Sequence, residues 1–585
     1  MAISTPFLKQ LQQHRKSRDT AAGKALIAGT DPETLGAEEL HEIARFFYVC
    51  GDTGQASAFL VRAGKRYPAG MREVAADLAM VAAKAGNPEV EIYFSLMSQD
   101  PRRLSGVVKR LLQYPEFAEA VAASAQAMLA PEDYFLLQCQ AAMSARNHPL
   151  ALEYARKAVE AKDSPEAWLQ LAKANYNLKR YGIAQQMLES RLRELDGDFR
   201  AHELLALIHI HFGRNRAGLA AIETACRINP RFRSGRGRAA RLKYLMEDYH
   251  GALADIQAAL RHYPKMGEFW ATKGRIDVAL GDYEAAREAF GHEDAIARSA
   301  ISALNLAYSH ALLGEHAQSE ACKREAVERS YVSSLRTSGD DRTLFLVLSP
   351  AGGLILTKYR FAGTVLHCAD TSGTYFILPA HAIARQAKEI ADTRGIDRIV
   401  LIGSSKGAFG ALLIGALLAE YRHLQVRAFA FSPQVMLWPF NDNLKMPSYR
   451  MLMERSKGNA LLREMLERHG NANRACEMSP ALAATAIVGS GYEMDVKEAA
   501  FLTAPNVEKR TIAFSGHGTL MVYTIPEGLT ADQLAQKYAT LKQDDDDVAV
   551  LGQSDGENII DEMVALYFDG RHTLDGLLRG RLAPT

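Results

Sequence analysis

The stretch RIVLIGSSKGAFGALLIGALLAEY, Arg398 to Tyr421, decides how the carboxyl-terminal half of this chain is read. An apolar run of strand length, Arg398 to Ile402, meets Gly403-Ser404-Ser405-Lys406-Gly407, and an apolar helical pattern follows at once. Strand, sharp turn and helix form the setting in which G-x-S-x-G presents a serine at the tip of a strained turn. Glycine is wanted at both ends because the new helix passes close to the strand that feeds it. Ser405 is therefore a candidate nucleophile standing at the top of a sheet. The plainer readings are a tightly packed glycine turn or a phosphate cradle, and the latter lacks the spacing GxxxxGK[ST].

Outward from this turn, strand and helix patterns alternate. TLFLVLS (Thr343 to Ser349) reads as a buried strand ending in Pro350-Ala351-Gly352-Gly353, GTVLHCAD (Gly363 to Asp370) as a second strand and TYFIL (Thr374 to Leu378) as a short third. VRAFAFSPQ (Val426 to Gln434) is another strand, followed by a helical insertion over about 435–483. TAIVGSG, the helical DVKEAAFLTA and KRTIAFSGHG complete the series. Such alternation over 343–525 predicts a parallel sheet covered on both faces. The polar SYVSSLRTSGDD before it reads as a domain boundary, with a linker over 331–342. A helical extension is expected over 526–585, with GLTADQLAQKYATL as one helix and an acidic break at Asp544 to Asp547.

Upstream the chain reads as helix after helix, with a cap over 1–34 and a repeat array over 35–330. Trp168 and Trp270 stand three periods of 34 apart, and Pro131 and Pro165, like Pro230 and Pro264, stand one period apart. In that register small residues recur where paired helices must cross: Ala172, Ala206, Ala240 and Gly274, then Ala184, Gly218, Ala252 and Ala286. Large apolar residues follow at Leu188, Ile222, Ile256 and Phe290. This pattern resembles the tetratricopeptide repeat, best in WATKGRIDVALGDYEAAREAF (Trp270 to Phe290), with Pro101 and Pro131 closing more degenerate units. The resemblance implies a stacked solenoid with a groove that docks a protein or peptide.

A serine hydroxyl needs a base, and the base an orienting acid. His517, in SGHG just past a strand, has glycines on both sides that leave the imidazole room to reach inward. The acid should follow the preceding strand, in GSGYEMDVKEA; Asp495 is the choice and Glu493 the rival, with helix capping the plainer role for either. An oxyanion hole would use the backbone amide of Lys406 and one from Ala351 or Gly352. The Lys406 side chain is expected in solvent, with screening of an anionic substrate as its functional alternative. His572 is a weaker second base, and Asp370 a strand-end residue whose default role is turn formation.

The order Ser405, Asp495, His517 looks like the α/β-hydrolase superfamily over about 343–525. HCADTSGTYFILP, GSSKGAFGAL and AFSPQ are similar to phrases in bacterial members found beside surface-polysaccharide or accessory-secretion genes, for which esterase or acyltransferase roles are proposed. Ala408 departs from the common elbow, where a second glycine is usual. The expected fold class is thus an all-α, tetratricopeptide-like solenoid followed by an α/β-hydrolase-like domain. The expected activity is attack on an ester or thioester, with a saccharide or acyl substrate. The alternative is a non-catalytic adaptor on a silent hydrolase fold.

Composition bounds the rest. A formal net charge of +1 gives no general argument for nucleic acid or an acidic membrane surface. Six scattered cysteines without CxxC suit reduced thiols in a cytoplasm, and no signal peptide, spanning helix or cofactor is expected. Arg231, Arg233, Arg236, Arg238 and Arg241 in PRFRSGRGRAAR read as a solvated, charge-balanced face, with an anionic partner as the sharper alternative. His209 and His211, two apart on a helix, point to different sides and are not expected to bind metal.

Overall fold

The computed structural model describes residues 6–17, 19–68, 71, 74–86, 126, 129–338, 342–525, 528–530, 533, 557–570 and 572–579. They fall into two compact units, Met1–Ile228 and Asn229–Thr585. Pro101, the acidic break and most of GLTADQLAQKYATL lie outside the described residues.

The first unit is built from packed helix pairs, among them Pro131–Ser144 with His148–Ala161, Pro165–Asn177 with Tyr181–Ser190, and Phe199–His211 with Asn215–Ile228. Ala172, Ala184 and Ala206 are fully buried at the crossings, with Leu188 and Ile222 packed behind them. The second unit opens with three further pairs: Gly235–Leu245 with Tyr249–His262, Gly267–Leu280 with Tyr283–Ala297, and Ala300–Leu312 with His316–Glu328. Here a Cβ on Gly274 would overlap the Phe290 ring, so the small and large positions of the period are matched across one crossing. Each first helix is followed by a left-handed residue, at Arg146, Lys179, Gly213, Glu247, Gly281 and Gly314. The next amide then reaches back to a carbonyl five residues earlier, as in Asp248 N to Lys243 O (2.9 Å) and Asp282 N to Asp277 O (3.0 Å). That closure satisfies the last carbonyls of one helix and starts the next.

The second unit continues into a seven-stranded sheet of order β1-β3-β2-β4-β5-β6-β7. The strands are β1 Tyr331–Arg336, β2 Thr343–Ser349, β3 Thr364–Asp370, β4 Arg398–Ser404, β5 Gln425–Phe431, β6 Ala483–Gly489 and β7 Val507–Ile512. All neighbours run parallel except β1, which pairs antiparallel with β3. Alternate side chains enter opposite cores, as the pleat requires. Leu344, Leu346, Leu348, Ile399 and Leu401 face a core shared with the helices Ala380–Arg394 and Lys406–Ala419. Phe345, Val347, Val400, Ile402 and Phe431 face a second core closed by Met563, Leu566, Leu574 and Leu577 of the carboxyl-terminal helices.

Three expectations are corrected here. The supposed linker over 331–342 contains β1. Its polar residues belong to an exposed edge strand whose Tyr331 to Arg336 pair with Asp370 to Val365 of β3. The preceding helix pair is also no separate body, because Ala300, Ala303, Leu304 and Ala326 lie in the first sheet core. Asn459 Nδ2 further ties the insertion to the Leu304 carbonyl (3.2 Å) and Asn305 Oδ1 (3.1 Å). TYFIL, expected as a strand, is a turn. Tyr375 (φ 58°) and Phe376 (φ 65°) are left-handed, and the Asp370 carboxylate accepts from the amides of Ser372 (2.8 Å) and Phe376 (2.9 Å). Asp370 thus has the turn-forming role.

The basic run is met by acids: Arg241 pairs with Glu454 (2.6 Å), while Lys243 (2.7 Å) and Arg236 (3.9 Å) approach Asp255. Two of its five arginines, Arg236 and Arg241, thus meet acids. His211 lies against Tyr181, the two rings tilted by 32° with centroids 3.7 Å apart. None of the six cysteines forms a disulfide. Burial pushes the Cys368 and Cys476 thiols up to about 12, which makes them packing residues rather than nucleophiles. Among the described residues no helix is long and apolar enough to cross a membrane.

Candidate active site

The turn after β4 is the most constrained point of the sheet. A Cβ on Gly403 would collide with the Gly407 carbonyl, and one on Gly407 with the Leu348 carbonyl of β2. Only glycine permits that approach, which also brings the end of β2 beside the start of the helix Lys406–Ala419. Ser405 itself takes φ 53° and ψ −117°, and its amide donates to Phe431 O of β5 (2.9 Å). Such a backbone persists only when its surroundings over-determine it.

Ser405 Oγ lies 2.8 Å from His517 Nε2, and His517 Nδ1 lies 2.6 Å from Asp495 Oδ1. A carboxylate only accepts, so Nδ1 carries the proton toward Asp495 and Nε2 is left to accept the serine hydroxyl. His517 and Asp495 are fully buried and Ser405 is 3% exposed. The loop carrying His517 is pinned on both sides. Two residues after the histidine, Thr519 Oγ1 shares a hydrogen bond with Ser432 Oγ (2.9 Å) and donates to Ile487 O (3.1 Å). Two residues before it, Ser515 donates through N (2.6 Å) and Oγ (2.7 Å) to Glu562 of the carboxyl-terminal helix Glu557–Phe568. Asp495 sits in the first turn of the helix Glu493–Ala500, where a negative charge is favoured.

The rival acid Glu493 stands apart: its side chain is 81% exposed and pairs with Lys497 (2.5 Å). It points off the helix on which Asp495 turns inward. Lys406 Nζ lies 5.9 Å from the Tyr375 ring centroid, a cation over an aromatic face. Ala351 and Gly352 lie in the loop after β2, where Gly352 is exposed and its missing Cβ would meet no atom within 4 Å. The glycine there is not forced by packing. His572 is occupied elsewhere, with Nδ1 3.3 Å from Tyr523 OH.

Sequence reasoning does not single out Gln434, whose Nε2 donates to Ser405 Oγ at 3.0 Å. Nor does it single out Glu498, a fully buried carboxylate. Glu498 accepts from the amides of Val435 (2.7 Å) and Met436 (3.2 Å), and from Nδ2 of Asn441 (2.7 Å) and Asn443 (2.8 Å). The available signal was position. Gln434 follows β5, the strand beside β4, at the carboxyl ends where an open parallel sheet forms its crevice.

No family model matches the chain, and no curated protein matches it. Among solved structures it is similar in part to MamA from Desulfovibrio magneticus RS-1, at 12% identity over 28% of this chain and 92% of that one, with a TM-score of 0.27. It is also similar to the Cut9–Hcn1 hetero-tetramer of the APC/C (13% identity, 55% and 80% covered, TM-score 0.31). A third likeness is to PilF of Pseudomonas aeruginosa (17% identity, 34% and 96% covered, TM-score 0.31). Likenesses of this size define neither a reaction nor a partner for this chain.

Proposed function

We propose that this chain is a serine-dependent hydrolase or acyltransferase of the α/β-hydrolase type, acting on an ester or thioester. One observation carries the reading: the unbroken hydrogen-bonded chain Ser405 Oγ, His517 Nε2, His517 Nδ1, Asp495 Oδ1, starting from a serine in a strained strand-to-helix turn. Ser405 Oγ attacks the acyl carbon while its proton passes to His517 Nε2, and Asp495 stabilises the imidazolium. The carbonyl electron pair moves onto oxygen, which the Lys406 amide receives. Collapse expels the alcohol or thiol, which takes the proton back from Nε2; water or an acceptor hydroxyl then repeats the cycle on the acyl-serine. The strand order, with its antiparallel edge strand and with the serine after β4, the acid after β6 and the histidine after β7, supports the same class.

The helix pairs are assigned the docking of a protein partner or macromolecular substrate, since pairs stacked within one unit offer an extended surface. Buried free thiols suit a reducing compartment such as the cytoplasm. A fluorophosphonate probe tests the chemistry: wild-type protein is expected to label and Ser405→Ala not to label. An unlabelled wild type, or equal labelling of both, leaves the silent adaptor as the reading.

A further inference from the structure

We propose that Gln434 is a side-chain oxyanion donor, supplying through Nε2 the hydrogen bond that the exposed loop at Gly352 was expected to give. The inference rests on Ser405 being the nucleophile. Because Ser405 gives its only proton to His517 Nε2, Oγ can do no more than accept at its other contact. The group 3.0 Å away must therefore be the amide nitrogen of Gln434 and not its oxygen. Gln434 is fully buried, its Oε1 has no partner, and its Nε2 also touches Met446 Sδ (2.6 Å).

Its placement is rigid. Glu498 holds the two amides that follow Gln434, and Asp495 stands one helical turn earlier on the same helix, so acid and donor hang from one element. Before it, Ser432 is left-handed (φ 48°), bonded through N to Ile487 O (2.8 Å) and through Oγ to Thr519. When Oγ bonds to the acyl carbon, the carbonyl π pair becomes a lone pair on oxygen. That oxygen develops two bonds away from Ser405 Oγ, the atom that Gln434 Nε2 already contacts. Donors fixed before charge develops need no reorganisation as it forms.

The test compares fluorophosphonate labelling of the full chain with that of Gln434→Met, which keeps the volume without an N–H, and Gln434→Glu. Labelling joins Oγ to phosphorus, expels fluoride and passes the serine proton to His517, and the phosphoryl oxygen stands where the oxyanion would. Both variants are expected to label about 10²- to 10³-fold more slowly at near-neutral pH, with the affinity for phenylboronic acid falling in parallel. The Gln434→Glu rate relative to wild type is expected to rise as pH falls, because a protonated carboxyl regains a donor. Wild-type rates in either folded variant, or a Gln434→Glu ratio that does not change with pH, would overturn the assignment while leaving the hydrolase reading intact. If Gln434→Met does not fold, Gln434→Glu alone decides. Absence of wild-type labelling removes both.

Discussion

Ser405, at φ 53° and ψ −117°, is a residue whose backbone makes sense only together with its two glycine neighbours. Gly407→Ala would drive a Cβ into a main-chain carbonyl that cannot yield, so soluble yield and melting temperature should fall sharply. Gly352→Ala meets open space and should change stability by no more than about 0.5 kcal/mol. Asp495→Asn should lower kcat by about 10⁴-fold by leaving the imidazole in the wrong tautomer. Glu493→Gln, on a side chain in solvent, should leave it unchanged; steady-state ester hydrolysis reads both. The serine, histidine and both acids were legible because each follows a strand in a fixed order. Choosing between the acids was not, since two residues along a helix turn the side chain by more than half a revolution. Gln434 was illegible because its partner, Ser405, is reached only across the β4–β5 pairing.

At the scale of elements, the 34-residue period is a statement about matched volumes. Gly274→Ala should cost about 1–3 kcal/mol by overpacking against Phe290, and Gly274→Ala with Phe290→Leu should cost less than the sum of the two changes, as read from urea midpoints. The helix Ala460–His469 carries a different signature. Burial, reinforced by His381 and Arg468, lowers His469 from its usual 6.5 to about 4, against the helix terminus that would favour its charge. The unfolded chain therefore binds this proton more tightly than the folded one. Its contribution to stability is present above pH 6.5 and is lost as pH falls toward 4. His469→Gln should flatten this part of the acid limb in urea titrations. Such an effect has no sequence signal, because nothing in LLREMLERHG says which end is buried.

Over the whole molecule, the sheet does not stand alone. A fragment beginning at Tyr331 strips Ala300, Leu304 and Ala326 from the first core and should be insoluble. One beginning at Asn229 keeps the compact unit and should stay monodisperse by size-exclusion chromatography. The carboxyl-terminal helices likewise close the second core and lend Glu562 to the histidine loop. Both contributions come from segments that the sequence pattern assigned to neighbouring domains.

Sequence by itself determined the local elements: the glycine-bounded turn, the run of parallel strands, the helical period, and a serine, acid and histidine in order. These follow from periodicity and from backbone shapes that only certain residues allow. Tertiary structure decided what lies far apart in the chain: that polar Tyr331–Arg336 is an edge strand, that three helix pairs belong with the sheet, and that Asp495 rather than Glu493 meets His517. It alone set Gln434 on the serine. The physical reason is that burial and hydrogen-bond partnership depend on what packs opposite a residue, and its sequence neighbours do not specify that.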